Sequence, residues 1–261
     1  MDIEVVSVPL FEDNYAYLLV HGKTPPRAIV VDPGECEGVW QAVEARGCEL
    51  EAILVTHHHW DHVAGLEDLW RMKNVEVLCS REDAGRVARA SRGLRDGEIV
   101  RFEGLAIEAL HVPGHTLGHM AYRCGDALFC GDTLFLGGCG RLFEGTAEQL
   151  YESLYEKILK LPEETRIYPG HEYTVKNRAF CTTIEGSNAA LQVRLKEATE
   201  LRARGSSTIP GTLAVEKATN VFLRCHCAAV IESVRKRYPD LPPDPVSVFA
   251  KLRELRNAYS G

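Results

Sequence analysis

Residues 57–62 read His-His-His-Trp-Asp-His, so five of six consecutive side chains are of metal-ligand type. What precedes them makes this the most constraining feature of the chain. Residues 52–56 form a compact apolar run, too short for a helix and read as a buried strand. The neutral imidazole nitrogen is the usual transition-metal ligand near neutral pH. In extended backbone leaving a strand, His57 and His59 point to one side, and Asp61 and His62 lie just beyond, near the start of the next helix. One loop can then give two ligands to one ion and two to a second. Three consecutive histidines can also be an exposed polar loop, but a dense His tract directly after an apolar strand is a metal-site signature.

Ligand-type residues recur at the ends of later predicted strands. Pro113-Gly114-His115-Thr116-Leu117-Gly118-His119 follows a strand over 105–112, Gly131-Asp132-Thr133 follows 127–130, and Pro169-Gly170-His171 follows 166–168. Strand ends are where α/β folds carry functional loops. Singly, each would be structural more often than not; with the first cluster they favour a two-metal site. Other β-rich runs cover 3–9, 16–21 and 28–31, the last ending at Asp32-Pro33-Gly34, and strands are predicted over 75–78, 98–102 and 120–123. Helical spacing covers 39–46, 63–72 and 147–160. After His171 the pattern turns helical, over 172–181, 189–203, 228–237 and 246–259, with Pro239, Pro242, Pro243 and Pro245 breaking the chain before the last helix. The expectation is an α/β metal-binding domain over 1–171 and a small helical domain over 172–261.

Composition supplies the exclusions. The 261 residues are 45% hydrophobic and 26% charged, as in soluble globular proteins. No apolar run approaches the roughly 20 residues of a membrane helix. The opening residues are acidic and strand-like, without a basic stretch or a long apolar region, so no signal or transit peptide is expected. Nine scattered cysteines, an odd number with no C-x-x-C, read as reduced thiols in a cytoplasmic protein. The net charge of -7 is uneven: residues 1–171 carry 16 Lys and Arg against 28 Asp and Glu, whereas residues 172–261 carry 14 against 9. Bound cations can offset the acidic front. The tail suits a small anion and is far too weakly basic for nucleic acid. A monomer is the default state.

The motifs THHHWDH, PGHT, GDT and PGHE, in that order, resemble the metallo-β-lactamase superfamily. Within it the chain is most similar to the glyoxalase II family, the hydroxyacylglutathione hydrolases, over nearly its full length. GDTLF-x-x-GCGRLFEGT over 131–146, GHEYT-x-x-N over 170–177 and R-x-x-R-N over 253–257 carry that closer resemblance. It implies an α/β, αββα-type sandwich followed by the helical domain. It implies two divalent ions, zinc first, with iron or manganese also suited to the ligands. His57, His59 and His115 would bind one ion; Asp61, His62 and His171 the other; Asp132 would bridge them. His58 would face outward or back a ligand, and His119 and Asp32 would support ligands or serve structure.

The implied reaction is hydrolysis of S-(2-hydroxyacyl)glutathione, such as S-D-lactoylglutathione, by a metal-bridging hydroxide, with Asp61 and Asp132 in the catalytic machinery. This is the second step of methylglyoxal detoxification. The leaving thiol has a pKa of about 8.5 and departs without a strong general acid. No G-x-S-x-G is present, and Cys139 reads as a small buried residue in a tight loop rather than a nucleophile. Cys225-His226-Cys227 lacks a further ligand and reads as the start of a helix. The resemblance places Arg253 and Arg256 at the glycine carboxylate of the substrate, on one helix face. Arg141, Phe143, Tyr173 and Asn177 fall in or near the glutathione site. Some family members have Tyr at 143; Phe cannot donate a hydrogen bond, and a hydrophobic contact would replace it. Competing readings are a persulfide dioxygenase with a single iron, a lactonase or nuclease of the same fold, and a metal-binding protein without activity. The long helical tail with its paired Arg and the complete set of seven ligands weigh against them.

Overall fold

The structure is a computed structural model that describes residues 3–22 and 24–260. The chain packs as two units: one holds residues up to His111 together with Leu117–Gly131, the other Val112–Thr116 together with Asp132 onward.

In the first unit, β1 (Glu4–Leu10), β2 (Asn14–His21) and β3 (Arg27–Val31) run antiparallel. Helix α1 (Glu37–Ala45) then crosses to β4 (Glu49–Leu54), which lies parallel to β3. Helices α2 (Trp60–Val63) and α3 (Leu66–Met72) lead to β5 (Glu76–Ser80), and β6 (Arg92–Leu94) ends the sheet, both parallel to β4. A second set follows as an antiparallel meander: β7 (Glu98–Phe102), β8 (Leu105–His111), β9 (Met120–Cys124) and β10 (Ala127–Gly131). Strand β4 is apolar throughout its end because both of its faces are covered. On one side, Val39, Val43, Leu66 and Leu69 of the helices pack with Leu18, Val30 and Ile53. On the other, the ring of Tyr17 meets that of Phe129 at 5.4 Å, and the Tyr122 hydroxyl donates to the Val55 carbonyl at 2.7 Å.

In the second unit, β11 (Leu134–Phe135) and β12 (Gly138–Cys139) form a short hairpin. Helix α4 (Ala147–Glu152) starts at a reciprocal cap between Thr146 and Gln149, then loosens through π turns at Ser153–Lys157 and a tighter turn at Ile158–Lys160. Strand β13 (Arg166–Pro169) is followed by α5 (Thr174–Ile184) and α6 (Ala189–Ala203), and β14 (Gly211–Thr212) pairs back with β13. Helices α7 (Leu213–Thr219), α8 (Ala228–Arg237) and α9 (Pro245–Ala258) complete the tail; Asp244 caps α9, with proline in its first turn. Phe180, Phe222 and Phe249 form their core, with ring spacings of 6.0 and 5.7 Å.

Three expectations are corrected. The helix predicted over 63–72 starts earlier, at Trp60, and is interrupted before Leu66. The helix predicted over 172–181 starts at Thr174 and runs on to Ile184. Cys225 and His226 precede α8 rather than begin it, and Cys227 is its flanking residue. Among the described residues no helix is long and apolar enough to cross a membrane.

Candidate metal centre

The first unit presents its ligand-type residues directly beyond β4. The Val55 N–H still bonds the Leu78 carbonyl at 2.9 Å, so the strand is held until the loop begins. The next residue turns to Asp32, at the end of β3. Asp32 is 3% exposed and its backbone is left-handed at φ 53°, a conformation that Asp tolerates better than most residues. Its Oδ1 accepts the Thr56 N–H at 2.7 Å, and its Oδ2 accepts the Thr56 hydroxyl at 2.6 Å and the His62 Nδ1–H at 3.0 Å. The Thr56 oxygen, its proton committed to Asp32, accepts from His57 Nδ1 at 3.0 Å. One carboxylate thereby draws the ring protons of both His57 and His62 to Nδ1 and leaves each Nε2 as a lone-pair donor.

The remaining loop residues are fixed as closely. His57 Nε2 and His59 Nδ1 stand 3.0 Å apart, a spacing at which two imidazole nitrogens can share a cation. His119 stacks on His57 with centroids 4.6 Å apart. His58 meets the His59 ring edge-on at 5.1 Å and pairs through Nδ1 with the buried Asp83 at 3.0 Å. Asn14 donates to Asp61 Oδ2 at 2.9 Å, orienting that carboxylate from the first hairpin. Gly34 packs so close to the Asp61 carbonyl that a Cβ would overlap it. Ligand atoms of Asp32, His57 and His62 all lie within 4.8 Å of one another.

The second unit carries His115, Asp132 and His171, all nearly buried. The turn bearing His115 is tied by the Ser153 hydroxyl to the Pro113 carbonyl at 2.7 Å and by the Phe143 N–H to the His115 carbonyl at 3.1 Å. His115 Nδ1 donates to the Arg141 carbonyl at 2.8 Å, so its Nε2 faces Asp132 Oδ2 at 3.6 Å. His171 Nε2 approaches the same oxygen at 3.4 Å. A carboxylate oxygen set between two imidazole Nε2 atoms, at distances beyond a good hydrogen bond, is the donor geometry a divalent ion needs. The nitrogen and oxygen set of each unit therefore fits such an ion.

The residues expected at the substrate separate into two groups. Arg141 and Phe143 are exposed on the loop after β12, and Phe143 meets the His115 ring edge-on at 5.2 Å. Tyr173 stacks on His171 at 4.7 Å, nearly parallel. Arg256 is half-buried and donates through Nε and Nη2 to Asn177 Oδ1 at 3.2 and 3.0 Å. Burial, then Arg253 and Arg141, hold its guanidinium below its ordinary pKa. That mutual repulsion is relieved by an anion. Arg253 is only 4% exposed and its Nη1 donates to the carbonyls of Cys139 and Gly140 at 2.6 and 3.3 Å. Asn177 is buried too, with its Nδ2 on the Leu136 carbonyl at 3.4 Å. These two are turned toward main chain. Burial pushes the Cys139 thiol up despite the pull of Arg253, which leaves it a poor nucleophile.

The metallo-β-lactamase superfamily model matches residues 11–171, and the hydroxyacylglutathione hydrolase C-terminus model matches residues 172–259. A hydroxyacylglutathione hydrolase of Dechloromonas aromatica is 47% identical over 270 aligned positions, covering 98% of this chain and all 100% of that protein. The chain belongs to the hydroxyacylglutathione hydrolase family. Another member, from Methylobacillus flagellatus, is 43% identical, with 98% of this chain and 99% of that protein covered. Among solved structures, ETHE1 from Myxococcus xanthus aligns over 99% of both chains with a TM-score of 0.65 at 26% identity. The fold is thus the α/β metallo-β-lactamase sandwich followed by the family's helical C-terminal domain, and its His and Asp clusters are those of a divalent-metal protein.

Sequence reading missed several residues that fix the family's motifs here. Asn14 sits in an ordinary turn sequence and Asp83 in a polar stretch, and neither carries a local signal. Arg178, Glu216 and Asn220 lie on or beside helices, where a charged or amide side chain reads as solvated. The nearest signal was Asn177, in the expected motif one residue before Arg178.

Proposed function

We propose that the chain hydrolyses S-(2-hydroxyacyl)glutathione, with S-D-lactoylglutathione as the reference substrate, to glutathione and a 2-hydroxy acid, D-lactate. The observation that carries this reading is the arrangement of buried ring nitrogens whose protons are drawn to partners behind them, on a chain aligned with the family end to end. In our reading His57, His59 and His115 hold one divalent ion, Asp61, His62 and His171 a second, and Asp132 is shared. Zinc suits this nitrogen and carboxylate set best, and iron and manganese also fit. Bound ions there supply Lewis acidity, which activates water and polarises the thioester carbonyl.

The chain's own residues do the rest. Asp61, held by Asn14, keeps its carboxylate oriented. The thiolate needs no proton donor to leave, in keeping with a raised Cys139 thiol that takes no part. Arg141 and Arg256 offer charge to substrate carboxylates, and Tyr173 and Phe143 offer ring surface. Arg253 and Asn177 support this surface from behind through their main-chain contacts. Residues 1–171 act as the catalytic domain and 172–261 as the substrate-binding domain of a cytoplasmic monomer that binds neither nucleic acid nor membrane. Nine free cysteines support the reducing compartment.

The test is turnover of S-D-lactoylglutathione by purified protein, followed through loss of the thioester, with metal content measured on the same sample. Rapid turnover with two ions per chain is expected. Two ions without thioester turnover would refute the substrate, and a single iron without turnover would favour the dioxygenase.

A further inference from the structure

The turn that joins Asp132 to Arg141 has little regular structure, yet none of its carbonyls from 135 to 140 is left to chance. Asn220 Nδ2 donates to Phe135 O at 3.4 Å and to Gly138 O at 3.1 Å. Asn177 Nδ2 takes Leu136 O at 3.4 Å, and the Cys181 thiol takes Gly137 O at 3.1 Å. Arg253 Nη1 takes Cys139 O and Gly140 O. These six consecutive acceptors are met by side chains of α5, α9 and the residue after α7. The turn also offers the Gly137 N–H, at its tip. That donor goes to Glu216 Oε2 at 2.7 Å.

Glu216 is fully buried at 0% exposure, and its other contacts are all directed. Arg178 Nη2 donates to its Oε1 at 2.7 Å, and Asn220 Nδ2 donates to its Oε2 at 3.1 Å. Arg178, itself 1% exposed, places Nη1 on the Thr219 hydroxyl at 2.7 Å. Charges this deep are costly to desolvate, and a hydrophobic pair would join the same helices at no greater cost. A carboxylate, unlike a hydrophobic side chain, gives a turn N–H a strong charge-assisted acceptor.

What hangs from this turn is the metal half of the second unit. Gly140 lies so close to the Asp132 carbonyl that a Cβ would overlap it, and the next residue, Arg141, supplies the carbonyl that fixes the His115 ring. We propose that Glu216 is a positioning residue for the metal loop: by holding the Gly137 N–H, with Arg178 balancing its charge, it sets the turn that presents Asp132 and orients His115. The proposal rests on the reading of Asp132 and His115 as metal ligands.

The experiment compares two charge-free pairs. Arg178→Met/Glu216→Met removes both charges and the acceptor; Arg178→Met/Glu216→Gln removes both charges but keeps an amide oxygen for Gly137. If the pair only joins helices, the two variants behave alike. If Glu216 positions the loop, the Met pair loses about 10- to 100-fold in zinc affinity against a chelator, the range of lost ligand-orienting contacts. The Gln pair recovers most of that loss at a similar Tm. In kinetics on the thioester the Met pair lowers kcat and the Gln pair restores most of it, because the turn that presents Asp132 and fixes His115 loosens in the first and is held in the second. Equal zinc affinity in the two pairs, or wild-type affinity in the Met pair, overturns the proposal. Hydrogen exchange at the Gly137 amide of the unaltered protein judges it independently of variant folding. Protection like that of the helix interiors is expected, and the rapid exchange of an open turn would overturn it. Should the unaltered protein bind zinc yet leave the thioester intact, the substrate assignment falls while the zinc comparison still decides the role of Glu216.

Discussion

Replacing Asp32 by Asn isolates a single element of the site, the negative charge behind two histidines. The backbone should not move, because Asn occupies the left-handed region as readily as Asp and the two side chains match in volume. The amide oxygen can keep the Thr56 N–H now held by Oδ1 at 2.7 Å. The amide nitrogen then falls where Oδ2 accepts from Thr56 and from His62 Nδ1 at 3.0 Å, and it is a donor. His62 must answer by moving its proton to Nε2, the nitrogen otherwise offered to a metal. Thr56 can turn its hydroxyl to accept from the amide, which sets that proton toward His57 and disturbs the second ring as well.

A hydrogen bond to a charged group contributes about 1.5–3 kcal/mol. Losing it along with the favoured tautomer should weaken metal binding about 10- to 100-fold, the usual cost of removing a partner behind a ligand. The assay is competition for zinc between the purified variant and a chromogenic chelator, with Tm recorded on the metal-free protein to separate folding from binding. Zinc affinity unchanged within the error of the titration, in a variant that folds normally, would refute the argument that Asp32 sets the two tautomers.

Four further outcomes follow from the structure. Gly140→Ala places a methyl into the Asp132 carbonyl and against the His115 ring, and should destabilise by about 1–3 kcal/mol and lower metal content, checked by thermal melts and metal analysis. Arg256→Ala should raise KM about tenfold with kcat held, as for a contact made equally in ground and transition states. Arg253→Ala should instead lower Tm, because it strips the donor from the Cys139 and Gly140 carbonyls; equal KM effects with no loss of Tm in both would contradict the split. Burial pushes the Glu185 carboxyl up, but hydrogen bonds from Arg224 and Asn188 outweigh it and hold it below the usual carboxylate range. A carboxylate depressed in the folded state stabilises above its unfolded value of about 4.3 and loses that contribution as pH falls through the folded value. Melts from about pH 5 to about pH 3 should therefore fall more steeply in the unaltered protein than in Glu185→Gln.

The legible parts of this chain are those in which chemistry and position are written in one stretch. The His loop after an apolar strand, and helices such as Ala189–Ala203 and Ala228–Arg237, fold where periodicity and residue type place them. Two-residue strands such as Leu134–Phe135 and Gly138–Cys139 have no period to read. The break before Leu66 is equally hidden: Gly65 packs on the backbone of Glu35 and Cys36, an approach set by the tertiary fold. Arg253 and Arg256 share a face by spacing, yet one is buried on carbonyls of residues 139 and 140 and the other is half-exposed on Asn177. Nothing within four residues of either distinguishes them.

The same contrast explains how the two halves of the metal chemistry are built. In the first unit a charge fixes the rings: Asp32 orders His62 directly and His57 through a hydroxyl. A charged side chain is visible in sequence, and Asp32, at the end of a predicted strand, was a candidate there. In the second unit the His115 ring is fixed by the Arg141 carbonyl, which every residue possesses and which no sequence pattern marks. A carbonyl has no protonation state to lose, so that ring keeps its tautomer as long as the carbonyl keeps its place. That place depends on the turn from Asp132 to Arg141, and the turn in turn depends on Glu216, Asn220, Asn177, Cys181 and Arg253. The first half is therefore vulnerable to the loss of one charge, and the second to the loosening of a frame built from residues up to 114 positions distant.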